Sequence, residues 1–179
     1  MINIENSLIL IIDIQEKLVN MLQKDTISNK AAKLLNAAKI LDIPSIVTEQ
    51  YPKGLGATVN ELKQEATNKT IFFEKTSFSA CRENGFKDIL EGFKRKNILI
   101  CGIEAHVCVY QTAADLITQD YEVHLFQDII SSRNEFELNI SVEKMKSLGA
   151  NMTSFEIVLF ELLKTSKHPN FKEIQTLIK

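Results

Sequence analysis

The chain reads as an α/β protein, with helices on both faces of a six-stranded, mostly parallel sheet. Two observations predict this. Six short apolar runs are largely β-branched or aromatic and continuous rather than alternating, as strands buried on both sides are. Between them lie longer stretches with apolar residues at helical spacing. Strand, helix, strand, repeated along the chain, implies right-handed crossovers and a parallel sheet. No linker rich in Pro, Gly or Ser divides the 179 residues and no internal repeat occurs, so residues 1–179 are read as one domain.

The elements follow in order. SLILII (7–12) is the first strand, and NKAAKLLNAAKILD (29–42) places Ala32, Leu35, Ala38, Ile40 and Leu41 on a helix. PSIVTE (44–49) is the second strand, followed by Pro52–Gly56, the one clear candidate for a functional loop. TIFFEK (70–75) is the third. ENGFKDILEGFKRK then sets Phe86, Ile89, Leu90 and Phe93 at helical intervals. NILICG (97–102) and YEVHLF (121–126) are strands four and five, with a helix expected to begin near Cys108. FELNISVEKMKSLGA carries Leu138, Val142, Met145 and Leu148 before Gly149, a C-cap signal. ANMTSF (150–155) is the last strand, and KHPNFKEIQTLIK reads as a terminal helix that docks after Pro169.

Composition narrows the function. A 45% apolar share is ordinary for a globular domain, and a chain of this length buries a full core. The net charge of -2, with no block of like charges, argues against a nucleic-acid binder. Lys94, Arg95 and Lys96 are read as a solvated helix end. The first apolar run is too short for a signal-peptide core, and no run reaches the ~18 residues of a membrane span, so a cytoplasmic location is the expectation. Three cysteines without paired spacing read as reduced thiols. Neither CxxC nor HExxH occurs, and three scattered histidines make no metal site, so neither metal nor cofactor is expected.

In such sheets ligands bind beyond the carboxyl ends of the strands. Strand one ends in Asp13, strand two in Glu49-Gln50-Tyr51, strand three in Glu74-Lys75-Thr76-Ser77-Phe78, strand four in Gly102-Ile103-Glu104, followed by His106 and Cys108, and strand five in Gln127-Asp128. The densest chemistry falls at strands one, three and four, expected as neighbours. Each residue alone has an ordinary reading: Asp13 as a helix N-cap, Lys75 as an exposed strand end, Cys108 as a small buried hydrophobe. Together they place a carboxylate, an ammonium and a thiol on one rim. A thiol at a helix N-terminus beside a cation has a lowered pKa, a carboxylate accepts its proton, and N–H groups of the helix start hold an oxyanion.

LIIDIQEKL, FEKTSFSA and GIEAHVCVYQTAADL resemble the three motif blocks of the isochorismatase-like cysteine hydrolase superfamily. LDIPSIVTEQYPKGLGATVNEL, SSR and HPNFKEIQTLIK extend the resemblance, in the isochorismatase domain-containing branch, over nearly the whole chain. It implies a Rossmann-like three-layer sandwich and a homo-oligomer, a dimer or larger. It also implies Asp13 as general base, Lys75 as the lysine that orients the acid and stabilises the thiolate, and Cys108 as the nucleophile of a covalent acyl-enzyme. A non-proline cis peptide is implied between Ile103 and Glu104, with the N–H groups of Glu104 and Cys108 as the oxyanion hole.

The departures narrow the substrate. Nicotinamidases of the superfamily carry an Asp-x-His pair after strand two, with another histidine downstream, for a metal; here that region is TEQYPKGLG. Isochorismatases proper cleave a vinyl ether by acid catalysis without the cysteine, so Cys108 favours small amide, carbamoyl or related acyl substrates. The alternatives are a vinyl-ether hydrolase, a non-catalytic interaction protein on a hydrolase scaffold, and a redox-sensing thiol, ranked last because Cys101 lies seven residues away and faces the core. Glu49, Gln50, Tyr51 and Phe78 are candidates for the substrate pocket, with structural roles as the other reading. His106 is a poor base for Cys108, because two residues on a helix diverge by about 200°. Arg133 is either an anion contact or a structural ion pair, and Cys81 and Cys101 are read as structural.

Overall fold

The computed structural model describes residues 2–179. In chain order the elements are β1 (Ser7–Ile12), α1 (Glu16–Val19), α2 (Ser28–Ile40), β2 (Ser45–Gln50), α3 (Pro52–Leu55), α4 (Asn60–Glu65) and β3 (Thr70–Lys75). There follow α5 (Phe86–Gly92), β4 (Asn97–Ile103), a π turn (Ala105–Val109) that runs into α6 (Tyr110–Thr118), and β5 (Glu122–Ser131). The chain closes with α7 (Glu135–Ser147), β6 (Asn151–Thr153), α8 (Phe155–Leu163) and α9 (Phe171–Ile178).

The six strands pair in parallel throughout, in the order β3-β2-β1-β4-β5-β6. β1 sits between β2 and β4, and all six of its residues are buried. A continuous apolar run is what such a strand needs, since both its faces are covered. The pleat divides the run between two cores. Ile9 and Ile11 join Leu99, Cys101 and Phe126 under α2, α8 and α9. Leu8, Leu10 and Ile12 join Ile98, Ile100 and Leu125 under α5, α6 and α7.

Three expectations are corrected. Strand three is not a neighbour of strand one, because β2 lies between them. β5 does not stop at Gln127-Asp128 but continues to Ser131, where Ile129 and Ile130 are buried. Residues 150–155 supply only a three-residue strand, and Ser154 instead caps a helix that the apolar run had hidden. Phe155, Val158, Leu159 and Leu162 recur at helical spacing there and pack inward.

β4 also shifts register against β5 between Ile100 and Gly102. Gly102 has φ +137°, and a Cβ at this position would collide with the Ile12 backbone of β1. Gly102→Ala therefore forces two strands apart in a conformation L-residues avoid, with an expected loss of about 2–4 kcal/mol. A chemical-denaturation midpoint within error of the parent would show that the close approach is not needed.

Candidate active site

The carboxyl ends of β1, β2, β3 and β4 converge on a buried polar cluster. Asp13 follows β1 with φ +52°, its N–H donating to the Thr48 carbonyl at 3.2 Å. The left-handed turn directs the chain away from the sheet, and the side chain remains fully buried. It caps no helix: the residue before α1 is Gln15, and Asp13 instead accepts from the Thr48 hydroxyl at Oδ1, 2.6 Å. Its other oxygen, Oδ2, accepts from Lys75 Nζ at 2.7 Å.

Lys75 is the last residue of β3 and must cross β2 to reach Asp13. Its side chain is fully buried, so the reading of an exposed strand end does not hold. The ammonium also donates to Gln50 Oε1 at 2.6 Å, the Phe78 carbonyl at 3.1 Å and the Ser77 carbonyl at 3.3 Å. Four acceptors surround three hydrogens, which fixes the charge in place and compensates its removal from water.

Cys108 lies in the π turn that opens α6 and is 5% exposed. Its Sγ stands 3.9 Å from Gln50 Oε1 and faces both Asp13 and Lys75. Burial pushes the thiol up to about 12, the Asp13 charge adds to this, and the Lys75 charge opposes it. The expected lowering by cation and helix start is therefore corrected: desolvation and the carboxylate outweigh the ammonium, and the resting group is a thiol. Cys81 is also pushed up to about 12, first by burial and then by Asp115. Cys101 is fully buried in β4 and its thiol is raised as well, mainly by desolvation.

The Ile103–Glu104 peptide bond is cis. Among the described residues, the Glu104 N–H has no backbone or side-chain acceptor. The Glu104 carboxylate turns to the loop after β5, accepting from the Arg133 N–H at 3.2 Å and lying 3.4 Å from Arg133 Nε. His106 points the same way, its Nδ1 3.0 Å from the Ser132 hydroxyl. Neither is a partner of the thiol.

The pocket candidates separate. Gln50 is buried inside the cluster, whereas the Glu49 carboxylate accepts from the Thr58 N–H and hydroxyl, both at 2.6 Å, and ties down the segment before α4. Tyr51 and Phe78 are each 55% exposed, and Phe78 meets the cluster only through its carbonyl. Tyr51 joins Pro52, Lys53, Glu74, Thr76 and Glu83 along a cleft of about 320 Å³ at the ends of β2 and β3. Two residues escaped the sequence reading. Thr48 holds the second oxygen of Asp13, and Gln15, fully buried, spans β2 and the following loop. Gln15 accepts from the Gln50 N–H at 2.7 Å and donates to the carbonyls of Gln50 at 3.0 Å and Gly56 at 2.6 Å. The one signal for them is that each is polar beside an apolar strand. Among the described residues, no three His, Cys, Asp or Glu side chains converge as a metal-ligand set, and no helix is long and apolar enough to cross a membrane.

The isochorismatase domain model matches residues 7–157. Isochorismatase domain-containing protein 2 of Danio rerio is 39% identical over 175 residues, covering 97% of this chain and 87% of that protein. Isochorismatase family protein 1A of Dictyostelium discoideum is 40% identical over 172 residues, covering 94% and 84%. A solved structure from Caenorhabditis elegans, named MAR1 ribonuclease, superposes with a TM-score of 0.94 at 42% identity, covering 99% of this chain and 91% of that one.

Proposed function

The chain belongs to the isochorismatase domain family, and on that premise we propose that it hydrolyses a small amide, carbamoyl or related acyl compound through Cys108. The observation that carries this is the buried set of one carboxylate, one ammonium and one thiol. Moving the thiol proton to Asp13 changes no net charge: Lys75 is balanced by the carboxylate before transfer and by the thiolate after it. Such an exchange needs no compensating charge from solvent, and it turns a thiol whose pKa burial has raised into a usable nucleophile.

The steps follow. Asp13 takes the Cys108 proton as sulfur bonds to the carbonyl carbon. The carbonyl electrons move to oxygen, where the N–H groups of Glu104 and Cys108 receive them. The oxyanion collapses and the bond to the leaving group breaks, with protonated Asp13 supplying its proton. Water then attacks the thioester, giving a proton to Asp13, and the sulfur leaves and recovers that proton. Acid, amine and free thiol result, with no metal required.

The ribonuclease name of the Caenorhabditis elegans relative raises a second reaction class. Cleaving a phosphodiester calls for a cation free to meet the phosphate oxygens. Lys75 is fully buried and committed to four protein acceptors, which favours acyl transfer.

A panel of amides, carbamoyl compounds, thioesters and single-stranded RNA tests the reading, with product analysis and peptide mass spectrometry of quenched turnovers. The expected result is one acyl substrate whose acyl mass appears on the Cys108 peptide. Acyl turnover with Cys108 unmodified under single-turnover conditions, or cleavage of RNA alone, would overturn it.

A further inference from the structure

We propose that Gln50 is a positioning residue that holds the Lys75 ammonium and the Cys108 thiol in register, and so sets how readily the thiol gives up its proton. This rests on the reading of Cys108 as the nucleophile. The side chain has only one usable orientation. Its Nε2 donates to the Thr76 carbonyl at 2.8 Å, so Oε1 must face the cluster, 2.6 Å from Lys75 Nζ and 3.9 Å from Cys108 Sγ. Gln15 clamps the Gln50 backbone on both sides, through its N–H and its carbonyl. The amide oxygen is thus a rigid, neutral acceptor shared by the two groups between which negative charge must move.

That position has two consequences. An acceptor beside a thiol favours S–H over S⁻, because it attracts the hydrogen and repels the thiolate. The same oxygen occupies one N–H of Lys75 that would otherwise be available to the thiolate. Gln50 therefore keeps the nucleophile protonated until substrate and Asp13 act together. The charged groups facing the thiol are Asp13, from the end of β1, and Lys75, from β3. On its own turn, Glu104 is turned to Arg133 and His106 to Ser132, and on α7 Glu143 and Lys144 line an outer groove beside Tyr110.

Two substitutions separate this role from simple damage. Both Gln50→Met and Gln50→Glu lose the donation to Thr76, so a structural role would move them in the same direction. They differ at the cluster: methionine removes the acceptor, and glutamate adds a negative charge. The readout is the pH profile of Cys108 alkylation by iodoacetamide, followed by peptide mass spectrometry, which needs no substrate. Gln50→Met is expected to move the profile down by about one pH unit, a rise of about tenfold at fixed alkaline pH, and Gln50→Glu to move it up. Displacement in the same direction, or none, would overturn the role of Gln50 while leaving Cys108 in place. If Cys108→Ala retains full turnover of a substrate found in the panel, the nucleophile reading falls and this assignment falls with it.

Discussion

The Cys108→Ala variant is expected to lose turnover by at least about a thousandfold while remaining folded. The thiol is the group placed to bond to carbon: the Asp13 carboxylate, held by Thr48 and Lys75 with lone pairs to spare, serves as its proton acceptor, and the Lys75 ammonium is committed to its four acceptors. Removing sulfur leaves the Asp13–Lys75 pair intact, so the fold keeps its buried charges matched and the melting temperature should move by only about a few degrees. Cys108→Ser should also be inactive. Its hydroxyl can still hydrogen-bond to Gln50, but it ionises far less readily than a thiol. A serine variant at parental rate would show that hydrogen bonding, not thiol chemistry, matters here.

The same variant has a stability signature in alkali. The folded thiol ionises near 12, whereas an unfolded cysteine does so at about 8.5. A group with a raised pKa stabilises the fold fully below its unfolded value, and that contribution disappears as pH climbs towards the folded one. Between these limits the unfolded chain has lost a proton that the folded chain keeps, so stability falls with pH by about 1.4 kcal/mol per unit for this thiol. Cys81 and Cys101 act in the same direction. Cys108→Ala should remove one thiol's share of the slope, measured as unfolding free energy between pH 9 and pH 11. An unchanged slope would mean that Cys108 is already ionised in the fold.

How much of this was legible in the sequence depends on range. SLILII announces a strand buried on both faces, because nothing polar interrupts it, and all six residues are buried. Asp13, Lys75 and Cys108 stand out as reactive side chains at the ends of apolar runs. Strand order is different. Nothing in TIFFEK says that β2 lies between it and β1, because pairing is decided by contacts between residues far apart in the chain. Gln50 was legible as a pocket candidate but not as the partner of Lys75, and Gln15 was not legible at all, for the same reason. A glutamine's role depends on which of its two ends meets which partner, and here those partners come from β3, the π turn and the loop at Gly56. The thiol's direction of shift was misjudged because sequence shows the neighbouring charges but not the burial, and burial is the larger cause. The run FEIVLFELL, to which the sequence reading assigned no element, is a different case, since a short stretch of apolar residues fits strand and helix equally until a cap is recognised.

Asp13→Asn should divide reactivity from turnover. Asparagine is nearly isosteric and can still meet both Thr48 and Lys75 through one oxygen and one nitrogen, but it cannot take a proton. Turnover is expected to fall by about a thousandfold, because neither the attacking thiol nor the leaving group has a proton partner. Alkylation should do the opposite. The carboxylate charge raises the Cys108 pKa and the ammonium lowers it, so without the first the second acts unopposed. The buried lysine also loses its carboxylate partner, and the neighbouring thiolate can take that place. The rate of iodoacetamide labelling at neutral pH should therefore rise by about tenfold or more in the variant that has stopped turning over. The charge argument goes one step further. In Asp13→Asn/Cys108→Ala no anion remains for Lys75, and the unpaired charge should cost about 3–5 kcal/mol, more than the two single losses combined. Additive losses, or slower labelling in Asp13→Asn, would show that Lys75 does not pass its charge balance from carboxylate to sulfur.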